Sequence, residues 1–500
     1  MVASVVMVQG TSSSVGKSLL VTALCRYFAQ QGLRVAPFKA QNMSNNAAVC
    51  ADGAEIGRSQ AVQAIAAGVA PGADMNPILL KPEGEARSQV IVLGRPWRTV
   101  SAGQYYRHKA ELWPVVTAAL ERLRAAHDLV VIEGAGSPAE LNLQATDIVN
   151  MAVARYARAP VLLVGDIDRG GIFAQLLGTL WLLEPADRAL VQGLIVNKFR
   201  GERALFTSGV DILTQRSDLP VLGVMPFLPA LRLPEEDSAT LDESMQVSHP
   251  PAEIDIAVIR LPRIANFDDF APLAAEPGVR VRYVHSPALL GHPQAIILPG
   301  TKSTIADLLW LREQGLAPAI QALADTGTAI VGICGGYQML GYSIKDPDGV
   351  ESSLPTMAGL GLLPVDTMFE PIKATHQATA QVLGGPGWFA ALRGQAVQGY
   401  EIHMGRTTSP QPWLAIARRD ATPGATPDGT VNSHGTIWGC YLHGLFDNAA
   451  FRHAWLRSLG WSNAAAQEQR VPPWHETLDT LAAQLAANLD VTRLEAIIWG

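Results

Sequence analysis

The chain has 500 residues, a formal net charge of −7 at pH 7 and a charged fraction of only 17%. This length predicts about two or three domains with large cores, and the lack of a basic tract argues against a nucleic-acid partner. The four cysteines, Cys25, Cys50, Cys334 and Cys440, are too few and too scattered for a disulfide framework or a zinc site. The sequence shows neither a signal peptide nor an apolar run near the ~18 residues that span a bilayer. We therefore expect a cytoplasmic protein without a membrane partner.

A glycine-rich loop follows the first predicted strand, Ser4 to Gln9. The loop ends in Gly-Lys-Ser and runs into an amphipathic helix from Leu19 to Ala29, which is the context of a P-loop. Its N–H groups would wrap phosphates, Lys17 would neutralise phosphate oxygens and Ser18 would bind Mg²⁺. Five residues separate Gly10 from Gly16, and this longer loop resembles the dethiobiotin-synthetase and MinD-like branch of P-loop proteins. The predicted ATP-binding residues of the loop are Gly10, Thr11, Ser12, Val15, Gly16, Lys17 and Ser18.

Three more side chains are candidates for the phosphate and Mg²⁺ site. Lys39 follows a strand predicted from Leu33 to Phe38, and it is either a second phosphate partner or a solvated loop lysine. Asp52 lies in a glycine-containing stretch and is a candidate for the Mg²⁺ shell. Glu133 ends a buried strand that starts at Leu129, where the Mg²⁺ ligand of a P-loop protein belongs. A strand-end carboxylate that is satisfied internally would show the same pattern.

Polar residues at the ends of strands also predict where a second substrate binds. The carboxyl ends of parallel strands meet at one sheet edge, so we expect these side chains to face a common cleft. The candidates are Gln41, Asn42, Asn45, Asp147 and Asp166. Asn197 follows the strand predicted from Gly193 to Val196 and is predicted either to read the adenine edge of ATP or to cap a turn.

The alternation of strands and helices predicts a mostly parallel, doubly wound α/β sheet over residues 1–233. Residues 234–252 are polar and contain prolines, which indicates a linker. A second open α/β sheet is predicted over residues 253–450, and the helical segment 451–500 is predicted to close this second domain. Its strands are predicted at Ile254 to Arg260, Val279 to Val284, Ala295 to Leu298, Ala329 to Ile333 and Ile437 to Leu442.

The strand from Ala329 leads into Cys334, which Gly332 and Gly336 bracket. This is the glycine spacing of a nucleophile elbow, a tight turn from a strand into a helix. A thiolate at a helix N-terminus is stabilised by the helix dipole and free N–H groups. Backbone N–H groups at Gly335 and in the loop at Gly300 would hold an oxyanion. The alternative interpretation is a small buried cysteine at a crowded turn.

A nucleophilic cysteine needs a base within hydrogen-bond reach. His443 closes an apolar strand and precedes Gly444, so we favour it over His403, which lies in an alternating strand. Class I glutaminases usually carry an acid two residues after this histidine, and here the position is Leu445. No third group is assigned, and a full triad is not predicted.

Together these motifs resemble the cobyric acid synthase family, the glutamine-dependent amidotransferases of cobalamin biosynthesis. The resemblance implies a P-loop synthetase domain followed by a class I glutamine amidotransferase-like domain. It further implies amidation of the b, d, e and g carboxylates of adenosylcobyrinic acid a,c-diamide through acyl phosphates, with ATP, Mg²⁺ and L-glutamine as the ammonia donor. The stretches that carry it are Gln9 to Ser18, Lys39 to Asn46, Met75 to Pro82, Ile132 to Glu140, Gly165 to Phe173, Leu298 to Ser303, Gly332 to Gly341, Gly399 to Arg406 and Tyr441 to Asp447.

Two other functions fit parts of the sequence. An amidotransferase acting on another polycarboxylate, such as a cobyrinic acid a,c-diamide synthase, would share the architecture. A MinD/ParA-like switch ATPase would explain the P-loop but would leave Cys334 without a role. Ser14 occupies a P-loop position that is often acidic in this superfamily, and the sequence does not indicate an oligomeric state.

Overall fold

The structure is a computed structural model that describes residues 2–84, 87–228, 252–420, 422–462 and 474–500. It contains two α/β units, each built around a six-stranded sheet, and the predicted fold class is confirmed. The strands predicted for both sheets are present, with small shifts at their ends. In these residue ranges no helix is both long and apolar enough to cross a bilayer.

The first central sheet is wholly parallel, and the strand that leads into the glycine-rich loop lies inside it. Val5 and Met7 of this strand pack into one hydrophobic core, while Val6 and Val8 pack into a second core on the other face. A sheet buried on both faces explains the continuous apolar runs. In spatial order the strands are Val221–Pro226, Val191–Phe199, Val161–Asp166, Ser4–Gly10, Leu129–Glu133 and Val35–Phe38. The helices of this unit are Lys17–Gln30, Arg58–Ala67, Ala102–Ala126, Met151–Ala157, Ile172–Leu182, Pro185–Arg188 and Thr207–Ser217.

A smaller sheet follows the strand Val35–Phe38 in the chain. Its strands, in spatial order, are Gln41–Met43, Ile78–Pro82, Arg87–Val92 and Arg95–Ser101. A hairpin of Ala47–Val49 and Glu55–Gly57 lies in the same part of the chain. Ile78–Pro82 pairs on both sides, so it is an interior strand of this sheet.

The second central sheet is parallel except for one short strand, and it carries Cys334 at the end of an interior strand. Its order is Val279–Val284, Ile254–Ile259, Ala295–Leu298, Ala329–Ile333, Ile437–Cys440 and Thr430–Val431. Its helices are Ala271–Ala275, Pro287–Leu290, Thr304–Glu313, Leu316–Asp325, Gly335–Leu340 and Ala449–Ser458. This unit also contains a mostly antiparallel sheet that the sequence does not predict. Its strands are Ser343–Lys345, Thr356–Ala358, Asp366–Val382, Ala396–Thr408, Leu414–Arg419 and Thr422–Asp428.

The C-terminal helices do not close the second domain, so the predicted assignment of residues 451–500 is wrong for the last part of the chain. Helices Trp474–Asn488 and Val491–Trp499 pack on the first unit, beside the helix that follows the P-loop. Leu481, Leu485 and Ile498 enter the core of the first sheet, and Arg26 pairs with Asp479 at 2.6 Å. The apolar faces of both helices pack against the core of the first unit. Local sequence does not encode this tertiary contact. Residues 234–251 of the predicted linker lie outside the described residues.

Leu485→Ala should lower the free energy of unfolding by about 2–5 kcal/mol, because it leaves a cavity in the core of the first unit. Hydrogen exchange should show reduced protection in Ser4–Gly10 and unchanged protection in Ile254–Ile259. The matched control is Leu205→Ala, at a leucine that is 79% exposed, and it should change stability by less than ~0.5 kcal/mol. Lost protection in the second unit alone would contradict this assignment of the helices.

Candidate active sites

Cys334 lies at a sharp turn between the strand Ala329–Ile333 and the helix Gly335–Leu340. Its backbone has φ 52° and ψ −109°, and a positive φ of this kind is strained for a residue with a side chain. The flanking glycines are needed because backbone passes close to both. A Cβ at Gly332 would lie 2.7 Å from the Gly336 carbonyl oxygen, and one at Gly336 would lie 1.9 Å from that of Leu298. The turn therefore has the geometry of a nucleophile elbow.

His443 is buried beside Cys334, and Asp269 orients it. The Nδ1 atom of His443 lies 2.7 Å from Asp269 Oδ2, and the Gly444 N–H donates to Asp269 Oδ1 at 2.9 Å. Burial alone would lower the pKa of His443, but the charges and hydrogen bonds of Asp269 and Cys334 outweigh it and raise the pKa to about 10. The imidazolium form is thus favoured next to the thiol.

Asp269 is the third group that sequence analysis left unassigned. It comes from the short 3₁₀ helix Phe267–Phe270, far from His443 in the chain, and it fills the role that Leu445 cannot. The sequence feature that could have indicated it is the pair of acids Asp268 and Asp269, which follows the strand Ile254–Ile259 of the second sheet. His403, the alternative base, instead stacks on Tyr441 at 3.9 Å and has Nδ1 2.8 Å from the Gly405 carbonyl oxygen.

The two candidate oxyanion residues lie beside this pair. A Cβ at Gly300 would come 2.8 Å from His443 Cε1, and one at Gly335 would come 2.8 Å from Thr301 Cγ2. Gly335 is the first residue of its helix, so its N–H has no partner within the helix. Both residues line one cavity with Cys334 and His443.

The glycine-rich loop in the first unit forms a compact turn around Lys17. Lys17 Nζ donates to the carbonyl oxygens of Ser12 at 2.9 Å and Gly136 at 3.1 Å. Gly16 has φ 99°, which favours glycine. The loop places Gly10, Thr11, Ser12 and Val15 around the start of the helix Lys17–Gln30, as a phosphate cradle requires.

Glu133 is the centre of a buried polar cluster at the P-loop. Its Oε1 accepts from Ser18 Oγ at 2.8 Å and Lys39 Nζ at 2.9 Å, and its Oε2 accepts from Gln63 Nε2 at 2.5 Å. Burial alone would raise the pKa of Glu133, but Lys39 and these hydrogen bonds hold it below its ordinary value. The hydroxyl of Ser18 and an ionised carboxylate at contact distance are oxygen donors of the kind that Mg²⁺ prefers, so the residues present fit the ion.

Two predicted ATP-site residues lie elsewhere or have another role. The Asp52 carboxylate accepts from the Ala54 N–H at 3.0 Å in the turn of the small hairpin, and the contacts of this residue do not include Ser18 or Glu133. Asn197 is 2% exposed, and its Nδ2 donates to the Val15 carbonyl oxygen at 2.7 Å. Asn197 thus holds the glycine-rich loop through its backbone, which agrees with the turn-capping alternative. The glycine-containing stretch that carries Asp52 thus forms the turn of the small hairpin, and the structure does not bring Asp52 to Ser18 and Glu133.

A cavity of about 730 Å³ opens beside the P-loop. Gln41 and Asp147 line it together with Gly136, whose carbonyl oxygen holds Lys17. The other three predicted substrate residues do not line it, because each is used internally. Asn42 donates to Gln60, Asn45 donates to the Pro82 carbonyl oxygen, and buried Asp166 pairs with Lys198 at 2.9 Å.

Lys109 and Tyr105, which the sequence patterns do not predict as site residues, also line this cavity. Lys109 is 8% exposed, its Nζ lies 4.8 Å from the ring centre of Tyr106, and burial lowers its pKa. Tyr105 donates its hydroxyl to Gln41 at 2.5 Å. They lie on the long helix Ala102–Ala126, whose local pattern does not distinguish a cavity wall from an ordinary packed face.

The first unit reaches the glutaminase-like site through reciprocal asparagine hydrogen bonds. The Phe267 N–H donates to Asn46 Oδ1 and the Ala47 N–H donates to Asn266 Oδ1, both at 3.0 Å. Asn266 Nδ2 is in turn 3.4 Å from His443 Nε2. A residue that touches the candidate base is therefore positioned by backbone of the other unit.

Arg58 makes a second connection between the units. Its Nε lies 2.7 Å from Asp268 Oδ2, and its guanidinium donates to the Tyr400 hydroxyl at 2.6 Å. The Tyr400 ring stacks on His443 with 5.2 Å between ring centres. Arg58 opens the helix Arg58–Ala67, whose Gln63 holds Glu133, so one buried helix contacts both candidate sites.

Both halves of the chain match known domain families. Residues 6–241 match the CobQ/CobB/MinD/ParA nucleotide binding domain, and residues 255–451 match the CobB/CobQ-like glutamine amidotransferase domain. The cobyric acid synthase of Chloroflexus aggregans is 58% identical over 492 residues, which are 98% of this chain and 98% of that protein. That of Sorangium cellulosum is 52% identical over 515 residues, covering 100% of this chain and 99% of that protein.

The fold and the sites thus define a two-domain enzyme that uses a nucleotide and glutamine for amidation. The chain belongs to the cobyric acid synthase family. This confirms the resemblance and the enzyme class that the motifs predict.

Asp269→Asn should shift the alkaline limb of glutaminase activity to lower pH by about 1–3 units. The aspartate charge favours the imidazolium, so its removal lowers the pKa of His443 and the imidazolium is lost earlier as pH rises. The pH dependence of glutamate release measures this limb. The matched control is Asp420→Asn, which removes another carboxylate paired with a histidine, His376, at 2.8 Å. An unchanged limb in the Asp269 variant would contradict the orienting role.

Proposed function

We propose that the chain amidates the b, d, e and g carboxylates of adenosylcobyrinic acid a,c-diamide, with one ATP and one glutamine for each amide. The observation that carries this proposal is the arrangement of the two cavities. The Cys334 cavity and the larger cavity beside the P-loop share residues 80–84 as a wall. Ammonia can therefore be made on one side and used on the other.

In the second unit, the Cys334 thiolate attacks the γ-carbonyl carbon of glutamine. The oxyanion that forms accepts hydrogen bonds from N–H groups at Gly335 and in the Gly300 loop. His443, held by Asp269, gives a proton to the leaving nitrogen, and the C–N bond breaks to release ammonia and a γ-glutamyl thioester. A water molecule activated by His443 then cleaves the thioester to glutamate.

In the first unit, a corrinoid carboxylate oxygen attacks the γ-phosphorus of ATP, and the bond to the ADP oxygen breaks. The resulting acyl phosphate reacts with ammonia at its carbonyl carbon, and phosphate leaves. Lys17 and Lys39 offset the charge on the phosphoryl oxygens. Ser18 and Glu133 are the residues that would hold Mg²⁺, which would add further neutralisation of that charge when bound.

The larger cavity supports an anionic, ring-shaped substrate. Tyr105 and Tyr106 give it flat apolar surface, and Lys109 and Arg87 offer cations to peripheral carboxylates. The lining also contains four acids, Glu140, Asp147, Glu184 and Asp187, so it has both signs of charge. Since Gly136 links the cavity wall to Lys17, a carboxylate bound there would lie near the γ-phosphate. A switch ATPase would have no use for the paired cavities, and it is not favoured.

Cys334 is also the one thiol suited to attack. The chain's four cysteines are free and buried, and burial raises the pKa of Cys50 to about 12 and that of Cys440 well above its ordinary value. Free thiols agree with a reducing compartment, and we place the enzyme in the cytoplasm.

Cys334→Ala should abolish glutamine-dependent amidation, because the thiolate is lost, but should keep amidation driven by high ammonium. Lys17→Ala should do the reverse, losing all amidation while keeping basal glutamate release. Product mass and glutamate assays distinguish the two outcomes. Loss of both activities in folded Cys334→Ala protein, or full synthesis by Lys17→Ala, would contradict the assignment of the two sites.

A bulky side chain at Gly84 should separate glutamine hydrolysis from amidation. In the shared wall, Lys81 and Glu83 face the Cys334 cavity, while Leu80, Pro82 and Gly84 face the larger one. The nearest atom to a Cβ at Gly84 would be 3.9 Å away, on the flexible side chain of Arg263. A side chain can therefore start at this position, and the ring of Gly84→Phe would obstruct passage. We expect Gly84→Phe to release more than about two glutamates for each amide formed, and to keep amidation driven by ammonium.

Gly84→Ala and the exposed-site variant Gly424→Phe serve as controls and should keep one glutamate per amide. A Cβ at Gly424 meets no atom within 4 Å. Tight coupling in Gly84→Phe, or an equal loss of ammonium-driven synthesis, would contradict passage of ammonia at this wall.

A further inference from the structure

A buried trio of charges beside the Cys334 cavity contains one cation too many. Lys81 Nζ and Lys373 Nζ each lie 2.5 Å from an oxygen of Glu55. The side chains of the lysines are 3% and 8% exposed, and that of Glu55 is 1% exposed. In the described part of the chain, Glu55 is the acid with which both lysines pair. A buried charge is costly unless it is paired, so the trio lacks one negative group.

The neighbouring acids do not supply that negative group. Glu83 pairs with Lys302 at 2.8 Å. Glu351 lines the same cavity, but its carboxylate accepts the Ile305 N–H at 2.8 Å, and burial raises its pKa to about 7. Burial, with Lys81 and Lys302 nearby, lowers the pKa of Lys373 to about 8 despite the attraction of Glu55.

The position of the trio indicates which anion completes it. Lys81 and Lys373 line the cavity that contains Cys334, His443 and Gly300. On the proposed function, this cavity holds glutamine with its γ-amide at Cys334. Glutamine has a single carboxylate, at the end of the molecule opposite the γ-amide.

We infer that Lys373 and Lys81 bind the α-carboxylate of glutamine and so select the ammonia donor. Lys373 belongs to the second unit, in the strand Asp366–Val382, whereas Lys81 comes from the strand Ile78–Pro82 of the first unit. The glutamine site is therefore composite, and the synthetase unit supplies part of donor recognition. Glu55 holds the two ammonium groups side by side, and the bound carboxylate balances their excess charge.

The test compares L-glutamine with its α-amide, L-glutaminamide, which has the γ-amide but lacks the α-carboxylate. Wild-type enzyme should prefer glutamine strongly in kcat/KM. In Lys373→Met the KM for glutamine should rise about 10- to 100-fold, as expected for a lost hydrogen bond to a charged group, with a smaller change in kcat. The preference over the α-amide should fall to within a few-fold, while ammonium-driven synthesis stays intact.

A stability measurement separates this role from a purely structural one. Lys373→Met leaves Glu55 and Lys81 as a matched pair, so its Tm should stay at or above the wild-type value. Glu55→Gln leaves two buried lysines unpaired and should lower the Tm. Lys345→Met, at an exposed lysine of the second unit, should change neither donor preference nor Tm.

Unchanged donor preference in Lys373→Met would overturn the inference, and so would a lowered Tm with the preference kept. Failure of the proposed function would give a different result. If Cys334→Ala enzyme still hydrolysed glutamine, the proposed role of Cys334 would be contradicted, while the donor preference measured for Lys373→Met would be unaffected.

Discussion

The reciprocal hydrogen bonds of Asn46 and Asn266 hold the two halves of this enzyme in register. Each amide oxygen accepts a backbone N–H from the other unit, and Asn266 also touches His443. A small displacement of the first unit would therefore move Asn266, which contacts the candidate base His443 in the second unit. The buried contacts of Arg58 and the Lys81–Glu55–Lys373 trio lie in the same interface. The cavity of Cys334 is thus lined partly by residues of the first unit, such as Lys81 and Glu83.

This arrangement explains how two chemistries can share one chain. Cys334 lies in the tight turn between a parallel strand and a helix, and Lys17 opens the helix that follows the glycine-rich loop of another parallel strand. The segment 80–84 has one set of side chains toward each cavity, since alternate residues of a strand point to opposite faces. One strand can therefore separate the two reactions and still leave the product of the first close to the second. The helix Arg58–Ala67 adds a rigid connection from Glu133 to Asp268.

The sequence allowed prediction of the features that adjacent residues determine. The P-loop, the glycine bracket of Cys334 and the strand-end His443 depend on local backbone conformation, so their spacing reveals them. Asp269, Gln63 and Lys109 escaped prediction because they reach their partners only through tertiary packing. The C-terminal helices were assigned to the wrong unit for the same reason. Asn197 and Asp166 lie at the expected sheet edge, but Asn197 donates to the Val15 carbonyl oxygen of the P-loop and Asp166 pairs with Lys198.

The most direct test of the account is the origin of the nitrogen in the product. Wild-type enzyme would be given ATP, Mg²⁺, the cobyrinic acid a,c-diamide substrate, glutamine labelled with ¹⁵N in its amide, and an excess of unlabelled ammonium. If ammonia passes directly between the two cavities, mass spectrometry will show four new amides that carry mostly ¹⁵N. Label diluted to the composition of the bulk ammonium would contradict the central claim that the shared wall joins the two sites.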